Sequence, residues 1–151
     1  MGRFHILLVE DNPGDVYLFK LALTRAGLTA EVIHLADGEL GLSYVRREVP
    51  YEQRQLPDLA VLDMNLPRRT GAELLEAMRI NPDFAQIPVL MMSSAALARD
   101  QAVRQEATSQ EAGPTHYLTK PSDLTEFLRV GVLVKETLLG GRMRRAAESG
   151  G

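Results

Sequence analysis

Pro57-Asp58-Leu59-Ala60-Val61-Leu62-Asp63-Met64-Asn65-Leu66-Pro67 is the stretch that decides the fold. Leu59 to Leu62 is a short, unbroken apolar run, the pattern of a strand buried on both faces of a parallel sheet. The run stops at Asp63, and Pro67 lacks the amide that a continuing strand would need. Open α/β sheets bind ligands outside the carboxyl ends of their strands, which is where Asp63 falls. Taken alone, Asp63 could simply cap a loop. Its meaning depends on what stands at the ends of the neighbouring strands.

Upstream, Phe4 to Val9 reads as a first strand ending in Glu10-Asp11. Asn12 caps the helix that follows, Pro13 suits its first turn, and Asp15 complements its positive end. Val16, Phe19, Lys20 and Leu23 share one face of this helix, with the Lys20 stem leaning outward. Gly14, Leu18 and Leu21 lie on a neighbouring face, and Gly27 ends the helix. Glu31 to Leu35 is a second strand, and Asp37-Gly38 opens a second helix running to about Arg47. A polar loop over 48–55 then leads to the Asp63 strand.

Downstream, Leu66 to Gly71 turns the chain into a third helix with Leu74, Leu75 and Met78 inward, and Asn81-Pro82 ends it. Pro88 to Met92 is a fourth apolar strand closed by Ser93-Ser94. Residues 95–112 are alanine-rich and polar, a fourth helix by propensity, broken by Gly113-Pro114. His116 to Leu118 is a fifth strand, followed by Thr119-Lys120-Pro121. Ser122 caps the last helix with support from Glu126, and Leu124, Phe127, Leu128, Gly131 and Val134 form its core face. Gly140-Gly141 is expected to end it, leaving 141–151 as a flexible, basic, frayed tail.

Five strands alternating with five helices predict one α/β domain over residues 1–140, a doubly wound parallel sheet with right-handed crossovers. The expected order is the flavodoxin-like 2-1-3-4-5, which sets strands 1 and 3 side by side. Composition agrees: 151 residues, 45% hydrophobic and 25% charged, are ordinary for one globular domain. A net charge of -3 and no basic stripe in the folded part argue against a nucleic-acid partner. Without cysteine the chain has neither disulfides nor thiolate metal sites. No apolar run approaches the ~20 residues of a membrane span. The first residues do not read as a signal peptide, so a cytoplasmic setting is the expectation.

The predicted order brings Glu10, Asp11 and Asp63 together above one edge of the sheet. Three carboxylates in one crevice repel, and a hard divalent cation with oxygen ligands, Mg²⁺ above all, would relieve them. Ser93 and Lys120 arrive from the ends of strands 4 and 5. A hydroxyl and an ammonium beside a metal-bound carboxylate make a receptacle for a phosphoryl group, with Asp63 as the nucleophile.

In these residues the sequence resembles the receiver domain of two-component response regulators, over nearly the whole chain from Ile6 to about Leu139. The resemblance implies that Asp63 accepts a phosphoryl group from a histidine kinase. It also implies that Asp11 binds Mg²⁺ directly, Glu10 through water, and Asn65 through its backbone carbonyl. Ser93 takes the switch hydroxyl position, Tyr117 the rotating aromatic position, and Lys120 the phosphate-binding position, with a cis bond to Pro121. The segments Val9 to Leu18 and Asp63 to Arg68 are similar to stand-alone receivers paired with bacterial phytochrome kinases, with no effector domain following. Ser93 to Tyr117 spans 24 residues, about five more than the resemblance leads one to expect. The excess falls in or beside the fourth helix.

A haloacid-dehalogenase hydrolase shares the Asp, hydroxyl, Lys and Mg²⁺ set. It wants an Asp where this chain has Asn65, however, and reverses the order of nucleophile and acidic pair. A flavodoxin needs a hydroxyl- and glycine-rich loop after strand 1, where Glu10-Asp11-Asn12-Pro13 would repel a flavin phosphate. A non-phosphorylated interaction module would have no use for the intact site. Two surfaces are expected to make contacts. Gly14, Leu18 and Leu21 would meet the kinase. The fourth helix, fifth strand and fifth helix, with Val130, Val132, Leu133 and Leu139, would form a homodimer face.

Overall fold

The computed structural model describes residues 3–93 and 115–150, apart from the side chains of 144–146 and 148–150. The elements run β1 (Phe4–Val9), α1 (Pro13–Arg25), β2 (Ala30–Leu35), α2 (Gly38–Val45), β3 (Leu59–Asp63), α3 (Gly71–Ile80), β4 (Val89–Ser93), β5 (Thr115–Thr119) and α4 (Leu124–Gly150). All five strands are parallel, in the order β2-β1-β3-β4-β5. Four helices stand among the described residues. The fourth helix expected from sequence, over 95–112, lies outside them.

Alternation along each strand sends residues to two separate cores. Leu7, Val9, Leu62 and Met91 face α2 and α3, where Leu42, Tyr44, Leu74, Met78 and Phe84 close the layer. Ile6, Leu8, Val61 and Leu90 face α1 and α4, packing with Val16, Phe19, Leu23, Phe127 and Val134. Because β3 is buried on both sides, its sequence from Leu59 to Leu62 is a continuous apolar run. The Asn12 side chain accepts hydrogen bonds from the Gly14 and Asp15 amides, so α1 starts where the sequence places it. At the other end Gly27 holds φ 76°, a left-handed conformation that favours glycine.

Three expectations fail. The last helix does not stop at Gly140-Gly141 but continues to Gly150. Each helical glycine costs about 1 kcal/mol, a penalty that good helix formers and tertiary contacts override. Here the Arg142 guanidinium lies 3.7 Å above the Phe4 ring centre, tying the extension to β1. Second, the cis peptide bond among the described residues is Val49–Pro50, not Lys120–Pro121. The two isomers of an X–Pro bond differ by only about 0.5–1 kcal/mol, so sequence alone cannot fix one. Third, Val130 belongs to the core and Leu124 is exposed, the reverse of the sequence assignment. Val130 and Val134 (i, i+4) share the buried side of α4.

Candidate functional site

The carboxyl ends of β1, β3 and β5 converge on one crevice. Register pairs Val9 with Leu62, so the residues that follow, Glu10 and Asp63, emerge at neighbouring strand ends. Ligand oxygens of Glu10, Asp11 and Asp63 lie within 4.8 Å of one another. Glu10 and Asp63 are buried and Asp11 is exposed, so the crevice has two walls in protein and one toward solvent. An all-oxygen donor set of three carboxylates fits a hard divalent cation.

Lys120 sits over this group. Its ammonium is 3.0 Å from Glu10 Oε1, 2.9 Å from Asp63 Oδ2 and 2.9 Å from Asp15 Oδ2. Burial pulls the Lys120 ammonium toward the neutral form, but its bonds to Asp63, Asp15 and Glu10 outweigh this and hold it above the usual lysine range. Glu10 moves the other way for a carboxylate. Burial is the main cause, the nearby Asp63 charge adds to it, and bonds from Lys120 and the Asn12 amide oppose it, leaving Glu10 pushed up to about 7.

Asp63 is also held from behind, since its Oδ1 accepts from the Asn65 amide at 2.9 Å. The loop it enters is fixed by close approach. A methyl on Gly71 would collide with the Asp63 carbonyl oxygen, so a glycine is required there. Arg68 adopts φ 72° in the same loop, and the Gly38 amide donates to the Pro67 carbonyl at 3.2 Å. Residues beyond the strand end are thereby clamped to the start of α2.

Ser93 is 1% exposed, and its Oγ has no hydrogen-bond partner among the described residues. The Lys120 amide donates to the Ser93 carbonyl at 2.7 Å, which joins these two residues through the backbone. Tyr117 lies opposite Met91 on β5 and packs, half-buried, against the α2–α3 core. Burial raises its phenol above the usual range, with Arg79 opposing. The structure therefore gathers Glu10, Asp11, Asp63 and Lys120 directly, ties buried Ser93 to Lys120 through the backbone, and holds Tyr117 on β5, three residues before Lys120.

Sequence reasoning gave Asp15 only a role at the helix end, whereas its carboxylate reaches the site lysine. The pairing spans 105 residues of chain (120 − 15), so no local pattern could have disclosed it.

Residues 6–130 match the sequence family described as the response regulator receiver domain. The chain belongs to that family. It is 32% identical over 125 residues to response regulator Rcp1 of Synechocystis sp., a match covering 83% of this chain and 82% of that protein. Among solved structures, the phosphorylated cyanobacterial phytochrome response regulator RcpA superposes with a TM-score of 0.76 at 29% identity, over 91% of this chain and 95% of that one. The Mn²⁺-bound form of Rcp1 gives 0.72 at 29% identity, over 87% and 91%. Receivers are signalling proteins, and the single five-stranded parallel sheet with helices on both faces is the receiver fold. Among the described residues no helix is long and apolar enough to cross a membrane.

Proposed function

We propose that this receiver accepts a phosphoryl group on Asp63 from a histidine kinase, in a reaction that depends on a divalent cation, Mg²⁺ by preference. One observation carries the reading. Lys120 bridges the buried Glu10 and Asp63 carboxylates, while the buried Ser93 hydroxyl has no hydrogen-bond partner among the described residues. A cation held by Glu10, Asp11, Asp63 and the Asn65 carbonyl would supply positive charge to the transferring phosphoryl group. An Asp63 carboxylate oxygen forms the new O–P bond as the phosphohistidine N–P bond breaks. Lys120 and Ser93 then hold the peripheral oxygens, one by charge and the other by its hydroxyl.

The likeness to Rcp1 and RcpA supports a place in phytochrome light signalling, in a cytoplasmic setting. Leu18 and Leu21 are half-buried on α1 and Gly14 is exposed, so this face remains available to the kinase. A homodimer on the β5 and α4 side is part of the same proposal. A cleft of about 350 Å³ lies there, lined by Leu118, Pro121, Val130 and Leu133. Val132 and Leu139 are exposed on α4. The helix expected over 95–112, which would complete this face, lies outside the described residues. Tyr117 lies on β5 beside this face, and its rotation toward Ser93 would couple phosphorylation to the contact.

Incubation with a small phosphodonor and Mg²⁺, followed by mass spectrometry, tests the acceptor. One phosphate should appear, depend on the metal and vanish in Asp63→Asn. Undiminished labelling of that variant would overturn the assignment.

A further inference from the structure

We infer that Asp15 is a positioning residue for phosphoryl transfer, the carboxylate that keeps the Lys120 ammonium in place when the crevice fills. The inference rests on the reading of Asp63 as phosphoryl acceptor and adds a residue to it.

Asp15 stands three residues after the cap Asn12, where an acidic side chain commonly turns back to take the amide of the capping residue. Here that amide is already taken, since Asn12 N–H donates to Glu10 Oε2 at 3.1 Å. The Asp15 carboxylate is thus released from helix duty. It extends instead to Lys120 Nζ at 2.9 Å, with 21% of its side chain exposed.

Lys120 has three carboxylate partners, and their fates differ. Glu10 and Asp63 both belong to the group whose oxygens lie close enough to share a cation. One of the Asp63 oxygens must also become the bridging oxygen of the acyl phosphate and lose its charge. Neither can remain a full partner of the ammonium. Asp15 is outside that group and carries no phosphoryl group, so it alone can hold Lys120 throughout. An ammonium has three donors, so one can stay on Asp15 while another turns to a phosphoryl oxygen. Mounted on the first turn of α1, Asp15 fixes the lysine from a rigid element and removes the search its four-carbon stem would otherwise make.

The test measures labelling by a small phosphodonor across Mg²⁺ concentrations in the full chain. Asp15→Ala and Asp15→Asn should lower the maximal rate about tenfold, the effect of losing one charge-assisted hydrogen bond. The Mg²⁺ concentration for half-maximal rate should stay within twofold of wild type, because Asp15 is not in the cation group. Asp15→Glu should recover part of the rate. In a Lys120→Ala background, Asp15→Ala should cause no further loss, as residues acting through one another are non-additive. In metal-free protein the Lys120 ammonium protons, followed by ¹⁵N NMR, should exchange several-fold faster in Asp15→Asn.

Asp63-dependent labelling at an unchanged or raised rate in Asp15→Ala would overturn this inference and leave the acceptor reading standing. So would a full additional loss in the Lys120→Ala background, or a change in Mg²⁺ requirement alone. A wild-type chain that takes no label at Asp63 would overturn both.

Discussion

Replacing Glu10 by Gln should make the metal-free protein more stable at pH 8 while weakening its response to metal. Folding raises the ionisation of Glu10 from 4.5 to about 7, chiefly through burial. Between those values the folded protein keeps a proton that the unfolded chain has lost, so stability falls as pH rises through this window. Above pH 7 the full difference applies, on the order of 3 kcal/mol. Gln cannot ionise, and its carbonyl can still accept from the Asn12 amide. Its NH₂ would face the Lys120 ammonium without an acceptor, at a cost of about 1 kcal/mol. The variant should therefore exceed wild type by about 2 kcal/mol at pH 8, and by about nothing at pH 5. Urea denaturation in chelator at the two pH values measures both gaps. Adding millimolar Mg²⁺ at pH 8 should narrow the gap, because only the wild type keeps three carboxylates for the cation. A gap of equal size at both pH values would refute the reasoning, since it would show that the charge of Glu10 is not what strains the crevice.

Other consequences can be checked separately. Gly71→Ala should lower the thermal midpoint by several degrees and disturb Asp63 labelling together, because the added methyl meets the Asp63 carbonyl. Leu18→Asp should slow phosphotransfer from the kinase several-fold and leave small-donor labelling intact. An equal loss in both assays would point to damaged packing, since Leu18 also borders the α1–α4 core. Sedimentation of the wild type with and without a beryllium fluoride phosphoryl mimic should show a dimer that Leu133→Glu weakens. A strict monomer in both states at high micromolar concentration would refute the dimer.

The parts of the fold legible in sequence were those set by burial. β1, β3 and β4 are covered on both faces, so their apolar runs needed no partner to be recognised. Glu10 and Asp63 were readable because each terminates such a run, and Lys120 because it closes the last, more polar strand in an order that follows from the alternation. What resisted reading were choices settled between distant parts of the chain. The continuation of α4 past Gly140 is tied to a ring at the other terminus, and Asp15 is claimed by a lysine from the far end of the sheet. The assignment of Val130 and Leu124 failed because α4 is apolar over most of its circumference. Periodicity then offers more than one face, and only the docked position chooses between them.

The backbone bond from the Lys120 amide to the Ser93 carbonyl has a mechanical consequence. The two groups that would grip a phosphoryl oxygen are mounted on adjacent, directly fastened strand ends, so pulling on both cannot prise those strands apart. The edge of the sheet behaves as an anvil. Motion produced at the site would then leave by rotation of side chains rather than by separation of β4 from β5. A message sent from such a site would be carried by its side chains while the frame stays still. Substitutions that loosen the frame itself should blur the difference between the two states before they abolish the chemistry.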